Sequence, residues 1–179
     1  MLSELSLGKE DILLDVGTGC GEWALAAAAR CRRVIGLDIS SSSLDHARVR
    51  ADKLGLANVI FALGSFEEPQ AHIDLSSHRI NRMAAVYALH HLPDDLKARS
   101  IKGLASLLTR PGRMVVGDLM FFEDPALHTA AFEEVDYDGG ETDFPCKADF
   151  LTDLFQNLGA EVVVRRVHPL VGVVTAWFV

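Results

Sequence analysis

The sequence predicts an α/β fold: a Rossmann-like, doubly wound, mostly parallel sheet with helices on both faces. Three observations carry that expectation. Short apolar runs with strand character alternate with helix-like segments along nearly the whole chain. A glycine-rich turn, Gly17-Thr18-Gly19-Cys20-Gly21, leaves the first apolar run and enters an alanine-rich segment. The chain closes on two apolar runs joined by a turn too short for a crossover, so those two strands must be antiparallel to each other.

Each element has a local reason. Asp11–Val16 is a short apolar run closed by glycines and reads as a buried strand. Glu22–Cys31 is alanine-rich and reads as a helix. Arg33–Asp38 is the second strand. Ser41–Leu54 is a helix whose preceding serines offer N-caps, and Asn58–Leu63 is the third strand. Ser65–His78 is polar and irregular. Met83–Leu89 is the fourth strand. Asp94–Leu108 sets Leu96, Ile101, Leu104 and Leu108 on one helical face, with Asp94 as cap. Pro111-Gly112 is a turn into the fifth strand, Arg113–Leu119. Asp124–Tyr137 reads as a helix with Pro125 in its first turn, Asp138–Cys146 as a loop, and Asp149–Leu158 as a helix stopped by Gly159. Glu161–Val167 and Val171–Val179 form the closing hairpin around His168-Pro169. The expected architecture is a single domain over residues 1–179, with a sheet of about seven strands.

Composition narrows the function classes. The chain has 179 residues, 17 Lys+Arg against 25 Asp+Glu, and a net charge of −8, which offers no general attraction to phosphate backbones. Nucleic acid is therefore not an expected partner. Three cysteines without CxxC spacing read as free thiols in a reducing compartment. The charged N-terminus lacks the apolar stretch of a signal peptide, and no apolar run approaches the ~20 residues that span a bilayer, so no membrane partner is expected and the expected location is cytoplasmic.

The glycine turn is the sharpest feature. Glycines there permit positive φ and let a ligand lie against the backbone, and the helix N-terminus adds free N–H donors. Asp38 ends the second strand, where an acid can accept hydrogen bonds from two ribose hydroxyls. A nicotinamide fingerprint, G-x-G-x-x-G, would need glycine where Glu22 stands. Asp15 precedes Gly17 by two residues. That carboxylate suits a ligand ammonium and would repel a pyrophosphate.

The pattern Asp15-Val16-Gly17-Thr18-Gly19-Cys20-Gly21 resembles motif I, D/E-x-G-x-G-x-G, of the class I S-adenosylmethionine-dependent methyltransferases. The resemblance extends through Asp38, through Gly64-Ser65-Phe66, through Ala88-Leu89-His90-His91-Leu92 and through Arg110-Pro111-Gly112-Arg113. It implies the sheet order 3-2-1-4-5-7-6 with strand 7 antiparallel, and S-adenosylmethionine as cofactor. It also implies a cofactor site of Asp15, Gly17, Thr18, Gly19, Gly21, Asp38, Ile39, Ser65, Phe66, Ala88 and Leu89. The sequence departs from the family at Ser65, where an aspartate often meets the adenine amine; Glu67 and Glu68 are the candidates to take its place.

On the acceptor side the candidate catalytic residue is His90, a neutral imidazole directly after the fourth strand, with packing under the loop as its equal alternative. His91 reads as packed, and Asp118 as a cap more than a catalyst. No histidine pair has ligand spacing on one element, so no metal site is expected. Cys20 reads as a small loop filler, and the arginines at 30, 32, 33, 165 and 166 as solvated charge. Phe121, Phe122, Phe132, Tyr137 and Phe144 are divided between an acceptor pocket and core, and Asp138–Cys146 is a candidate lid. The resemblance implies methyl transfer to a small-molecule acceptor. The alternatives are a non-catalytic S-adenosylmethionine-binding protein, or one subunit of a methyltransferase complex. Only ten residues precede the first strand, so little cap is expected over the crevice and a homodimer is an option.

Overall fold

The structure, a computed structural model, describes residues 2–179. A short helix α1 (Leu2–Leu5) is followed by β1 (Ile12–Val16), α2 (Glu22–Ala28), β2 (Arg33–Asp38), α3 (Ser41–Lys53), β3 (Val59–Leu63) and β4 (Arg82–Val86). Then come α4 (Asp94–Leu107), β5 (Gly112–Phe121), β6 (Cys146–Lys147), α5 (Ala148–Asn157), β7 (Glu161–His168) and β8 (Val171–Phe178). The strands form one sheet in the order β3-β2-β1-β4-β5-β8-β7, with β6 paired to β5 off that path. Strand β8 runs antiparallel to both β5 and β7, while the pairs from β3 to β5 are parallel.

The expected seven-strand order needs one correction. Cys146 and Lys147 pair in parallel with Met120 and Phe121, which adds a two-residue strand. The closing hairpin is therefore β7–β8, the order reads 3-2-1-4-5-8-7, and the reversed strand is the eighth. Two residues carry no periodicity by which a sequence could announce them.

Burial on both faces explains the near-continuous apolar strands. In β1 and β2, Leu14 and Ile35 face a core shared with α4 and α5, through Ile101, Leu104, Leu151 and Phe155. Their neighbours Leu13 and Val34 face the opposite core, with Leu25 of α2 and Leu44 and Ala47 of α3. Strand β7 is the sheet edge, and its exposed Arg165 and Arg166 blunt it against further pairing.

Other boundaries differ from expectation, each for a local reason. Strand β4 stops at Val86, because Tyr87 takes a φ of 49°. Ala88–His90 turn away to donate their backbone N–H groups to Asp118. Helix α2 ends at Ala28, short of Cys31. Pro93 is the N-cap of α4, so Asp94 is its first helical residue. The segment after β5 forms 3₁₀ turns over Pro125–Ala131 and Glu133–Val135, broken by a non-helical His128. Among the described residues no helix is long and apolar enough to cross a membrane.

Candidate active site

The site grows from the loop between β1 and α2. The N–H groups of Gly17 and Thr18 both donate to the Leu37 carbonyl of β2, at 2.9 and 2.8 Å. That pairing pulls the loop across the carboxyl ends of the two strands. Gly17 has a φ of 74°, and a Cβ there would stand 2.3 Å from the Ala88 Cβ. Only glycine lets the first loop and the β4 turn meet this closely. Gly21, with a φ of 79°, caps α2 in the left-handed region.

Two carboxylates frame this loop. Asp15 is buried, and its Oδ2 accepts the Thr18 hydroxyl at 2.7 Å. Burial first, and then the charge of Asp38, raise its pKa from 3.8 to about 6, against the lowering effect of the Thr18 bond. Asp38 Oδ2 accepts the Gly19 N–H at 2.7 Å and its Oδ1 accepts the Ser40 N–H at 2.9 Å. Each oxygen retains acceptor capacity for a further donor. Beside it Ile39 is 78% exposed.

A cleft of about 620 Å³ opens along the glycine loop. Its walls include Gly17, Thr18, Gly19, Trp23, Tyr87 and the start of β8. Of the expected cofactor residues only Gly17, Thr18 and Gly19 line it; Asp15, Gly21, Asp38, Ile39, Ser65, Phe66, Ala88 and Leu89 do not, nor does His90. Ser65 turns inward on its own loop, where its hydroxyl accepts the Glu68 N–H at 2.9 Å. Phe66 is buried in the core against Leu89, and its ring lies near Gly17.

The β4 turn is organised by Asp118, a residue read from the sequence as a cap more than a catalyst. Its Oδ2 accepts the N–H groups of Ala88, Leu89 and His90, and its Oδ1 accepts the Leu119 N–H at 2.8 Å. Its Oδ1 also lies 2.5 Å from His90 Nδ1. Asp118 thus shapes the turn and orients the imidazole, with Nε2 turned toward Asp143 Oδ1 at 3.5 Å. His90 is buried, one of the two placements open to it, while His91 is exposed rather than packed as expected.

Two contributors have no signal in the linear sequence. Tyr87, non-glycine at positive φ and 45% exposed, projects at the mouth of the cleft. Burial and the charges of Asp118 and Asp136 push its phenol pKa up. Asp143 comes from the distant 138–146 loop, whose Phe144 N–H donates to the His90 carbonyl at 2.7 Å. That loop is braced and does not hang free as a lid. The Asp138 carboxylate accepts backbone N–H groups from Gly140, Glu141, Thr142 and Asp143, which holds its pKa far below the usual range despite the desolvation that opposes them.

Lys97 anchors the same loop from α4. Its side chain is 1% exposed, and Nζ donates to the carbonyls of Leu92 and Phe144 and to Asp94 Oδ1. These saturate the three ammonium donors. Lys97→Met should cost roughly 1–3 kcal/mol by orphaning the partly buried carbonyls of Leu92 and Phe144. A denaturant midpoint equal to wild type would show that water replaces the ammonium.

The aromatic group at and after the end of β5 is divided: Phe121, Phe132 and Tyr137 are partly buried against a small core, Phe121 and Phe122 also line a separate cavity of about 510 Å³, and Phe144 is exposed. Phe121 and Phe132 meet Tyr137 edge-on, over Leu119, Val135, Leu170 and Val171. Arg166 lies over the Phe122 ring and pairs with Glu123.

A doubly wound sheet of this order, with a glycine loop over β1 and an acid ending β2, defines a class I S-adenosylmethionine-dependent methyltransferase domain. Comparison with known proteins agrees. The methyltransferase domain family matches residues 13–112, and the chain belongs to that family. The Bacillus subtilis methyltransferase YcgJ is 31% identical over 130 residues, 71% of this chain and 48% of the relative. This chain thus spans about half the length of that relative. The crystal structure of YcgJ aligns at a TM-score of 0.74 over 94% of this chain and 68% of its own, at 22% identity. A Haloferax volcanii methyltransferase in complex with the Trm112 activator gives 0.76 at 15% identity, over 98% and 86% of the two chains. The Synechocystis magnesium protoporphyrin IX methyltransferase, solved with bound S-adenosylmethionine, gives 0.69 at 16% identity, over 94% and 70%. At these identities the structural matches speak to the fold.

Proposed function

We propose that this domain transfers a methyl group from S-adenosylmethionine to a small-molecule acceptor by in-line displacement, with release of S-adenosylhomocysteine. The observation that carries the reading is Asp15. A buried carboxylate with a raised pKa sits directly beneath a glycine loop, where burial penalises its charge. A ligand cation beside it relieves that penalty, and the α-ammonium of the cofactor's methionine part is such a cation. A pyrophosphate would add to it.

The remaining residues fit the rest of the molecule. The backbone of Gly17, Thr18, Gly19 and Gly21 would bed the methionine part, because no side chain stands between loop and ligand. Asp38 would accept the two ribose hydroxyls on its remaining lone pairs. Exposed Ile39 would cover the adenine, with Ser65 and Phe66 bounding it from the β3 turn. Ala88 and Leu89 would stand near the sulfur, since Ala88 touches Gly17 across the loop. When bound, the cofactor supplies a methyl group on a sulfonium whose leaving group is neutral. What the chain adds is chiefly alignment. On the acceptor side, Asp118 holds His90 through Nδ1, and Nε2 faces the buried Asp143 carboxylate at 3.5 Å.

Calorimetry with S-adenosylhomocysteine tests the reading. Wild-type chain should bind one equivalent. Asp38→Ala should weaken binding by about 10- to 100-fold, the worth of a charged acceptor to two hydroxyls. The same substitution also frees the Gly19 N–H, so loss and loosening of the loop act in the same direction. Affinity for NADH without affinity for S-adenosylhomocysteine would overturn the proposal. Turnover of a small acceptor by the purified chain would exclude a purely cofactor-binding role.

A further inference from the structure

We propose that His90, His91 and Asp143 form a binding site for one divalent transition-metal ion. His90 Nε2 lies 3.5 Å from Asp143 Oδ1, and His91 Nδ1 lies 3.2 Å from the same oxygen. The three donor atoms fall within 4.8 Å of one another. Donors placed about 2.1 Å from a tetrahedral ion stand roughly 3.4 Å apart, so the two measured separations are those of ligands around a common centre. The exposed ring of His91 has the freedom to complete the third.

The electrostatics ask for a cation at this point. Asp143 is buried; its Oδ2 accepts the Asp138 N–H at 3.3 Å, while Oδ1 faces the two imidazole nitrogens. A buried carboxylate oxygen is stable only when positive charge or donors offset its desolvation. An ion between the three groups does this.

The surroundings are those of a supported ligand set. His90 Nδ1 lies 2.5 Å from Asp118 Oδ1, which keeps the proton on Nδ1 and the lone pair on Nε2. Ligating histidines are commonly held this way, by a carboxylate on the other ring nitrogen. Asp143 is held in turn by the Asp138 turn and by the Phe144–His90 backbone bond. Two imidazoles and one carboxylate favour zinc, cobalt, iron or manganese over magnesium and calcium, which prefer oxygen alone. Three protein ligands leave coordination positions for water or for an acceptor oxygen or nitrogen. The expectation of no metal site considered spacing within single elements. Here the fold adds a ligand from a loop more than fifty residues beyond the histidine pair.

Binding of the ion is independent of the methyltransferase reading; only its service to the acceptor rests on that reading. The test is titration of the chelator-treated full chain with Co²⁺, followed by visible absorption, with Zn²⁺ as competitor and Mg²⁺ as control. One equivalent of Co²⁺ should bind with ligand-field bands, be displaced by Zn²⁺ and be indifferent to Mg²⁺. His91→Ala, at a 58% exposed side chain, should keep the fold and lose at least tenfold in Co²⁺ affinity. Asp143→Asn should lose as much. Absence of stoichiometric binding, or unchanged affinity in His91→Ala, would overturn the site. Calorimetry with S-adenosylhomocysteine on the same samples separates the two readings. Cofactor binding without metal binding sinks this inference alone, and metal binding without cofactor binding sinks the methyltransferase proposal alone.

Discussion

Asp118→Ala should lower stability by about 3–5 kcal/mol, the range for removing one partner from a buried charged network. The carboxylate is 2% exposed and collects the backbone N–H groups of Ala88, Leu89, His90 and Leu119 as well as the His90 ring. Alanine leaves these donors without an acceptor. For a chain of this size the melting temperature should fall by roughly 10 °C. Asp118→Asn should do little better, because its amide NH₂ must face one set of donors. Melting within two degrees of wild type for both variants would mean that the turn is held by packing alone. A second readout follows from the geometry: His90 loses its anchor, so any metal or acceptor chemistry at Nε2 should decline even where the fold survives.

Asp15→Asn should move two properties in opposite directions. The folded-state pKa of Asp15 is raised, so the folded chain holds that proton more tightly than the unfolded chain does. The stability it contributes is fully present below about pH 4 and is lost as pH rises through about 6. At pH 7 the ionised group therefore costs the ligand-free fold on the order of 3 kcal/mol, from about two pKa units at 1.36 kcal/mol each. Asparagine retains an acceptor for the Thr18 hydroxyl and carries no charge. The variant should be more stable than wild type at pH 7, and the difference should shrink as pH falls through 6. Its affinity for S-adenosylhomocysteine should fall, because the proposed partner of the ligand ammonium is gone. Denaturant melts from pH 4.5 to 8, paired with calorimetry, measure both. A variant less stable at pH 7, or one that binds the ligand as well as wild type, would remove Asp15 from this role.

The parts of the site legible in the sequence are those whose chemistry is local. The glycine loop announces itself because Gly17 and Gly21 need positive φ within a few residues of a strand end. Asp38 announces itself by its position at the end of an apolar strand. Asp143, Tyr87 and Lys97 do not. Asp143 lies in a polar loop, and nothing near it in the chain says which residues it meets. Tyr87 reads as a strand residue until Asp118, thirty-one residues later, draws the following N–H groups out of the ladder. Lys97 is a charged residue within a helical segment, and nothing near it in the chain shows that its ammonium is buried beneath Phe144.

By itself the sequence determined the sheet, its parallel strands and reversed hairpin, and the two carboxylates that flank the glycine loop. Those follow from periodicity, turn chemistry and spacing, which act over a few residues at a time. Only the tertiary structure decided which polar groups share the space beyond the carboxyl ends of β4 and β5. A buried carboxylate takes its partners from whatever the packed layers bring within hydrogen-bond reach, and that choice is made across the fold rather than along the chain.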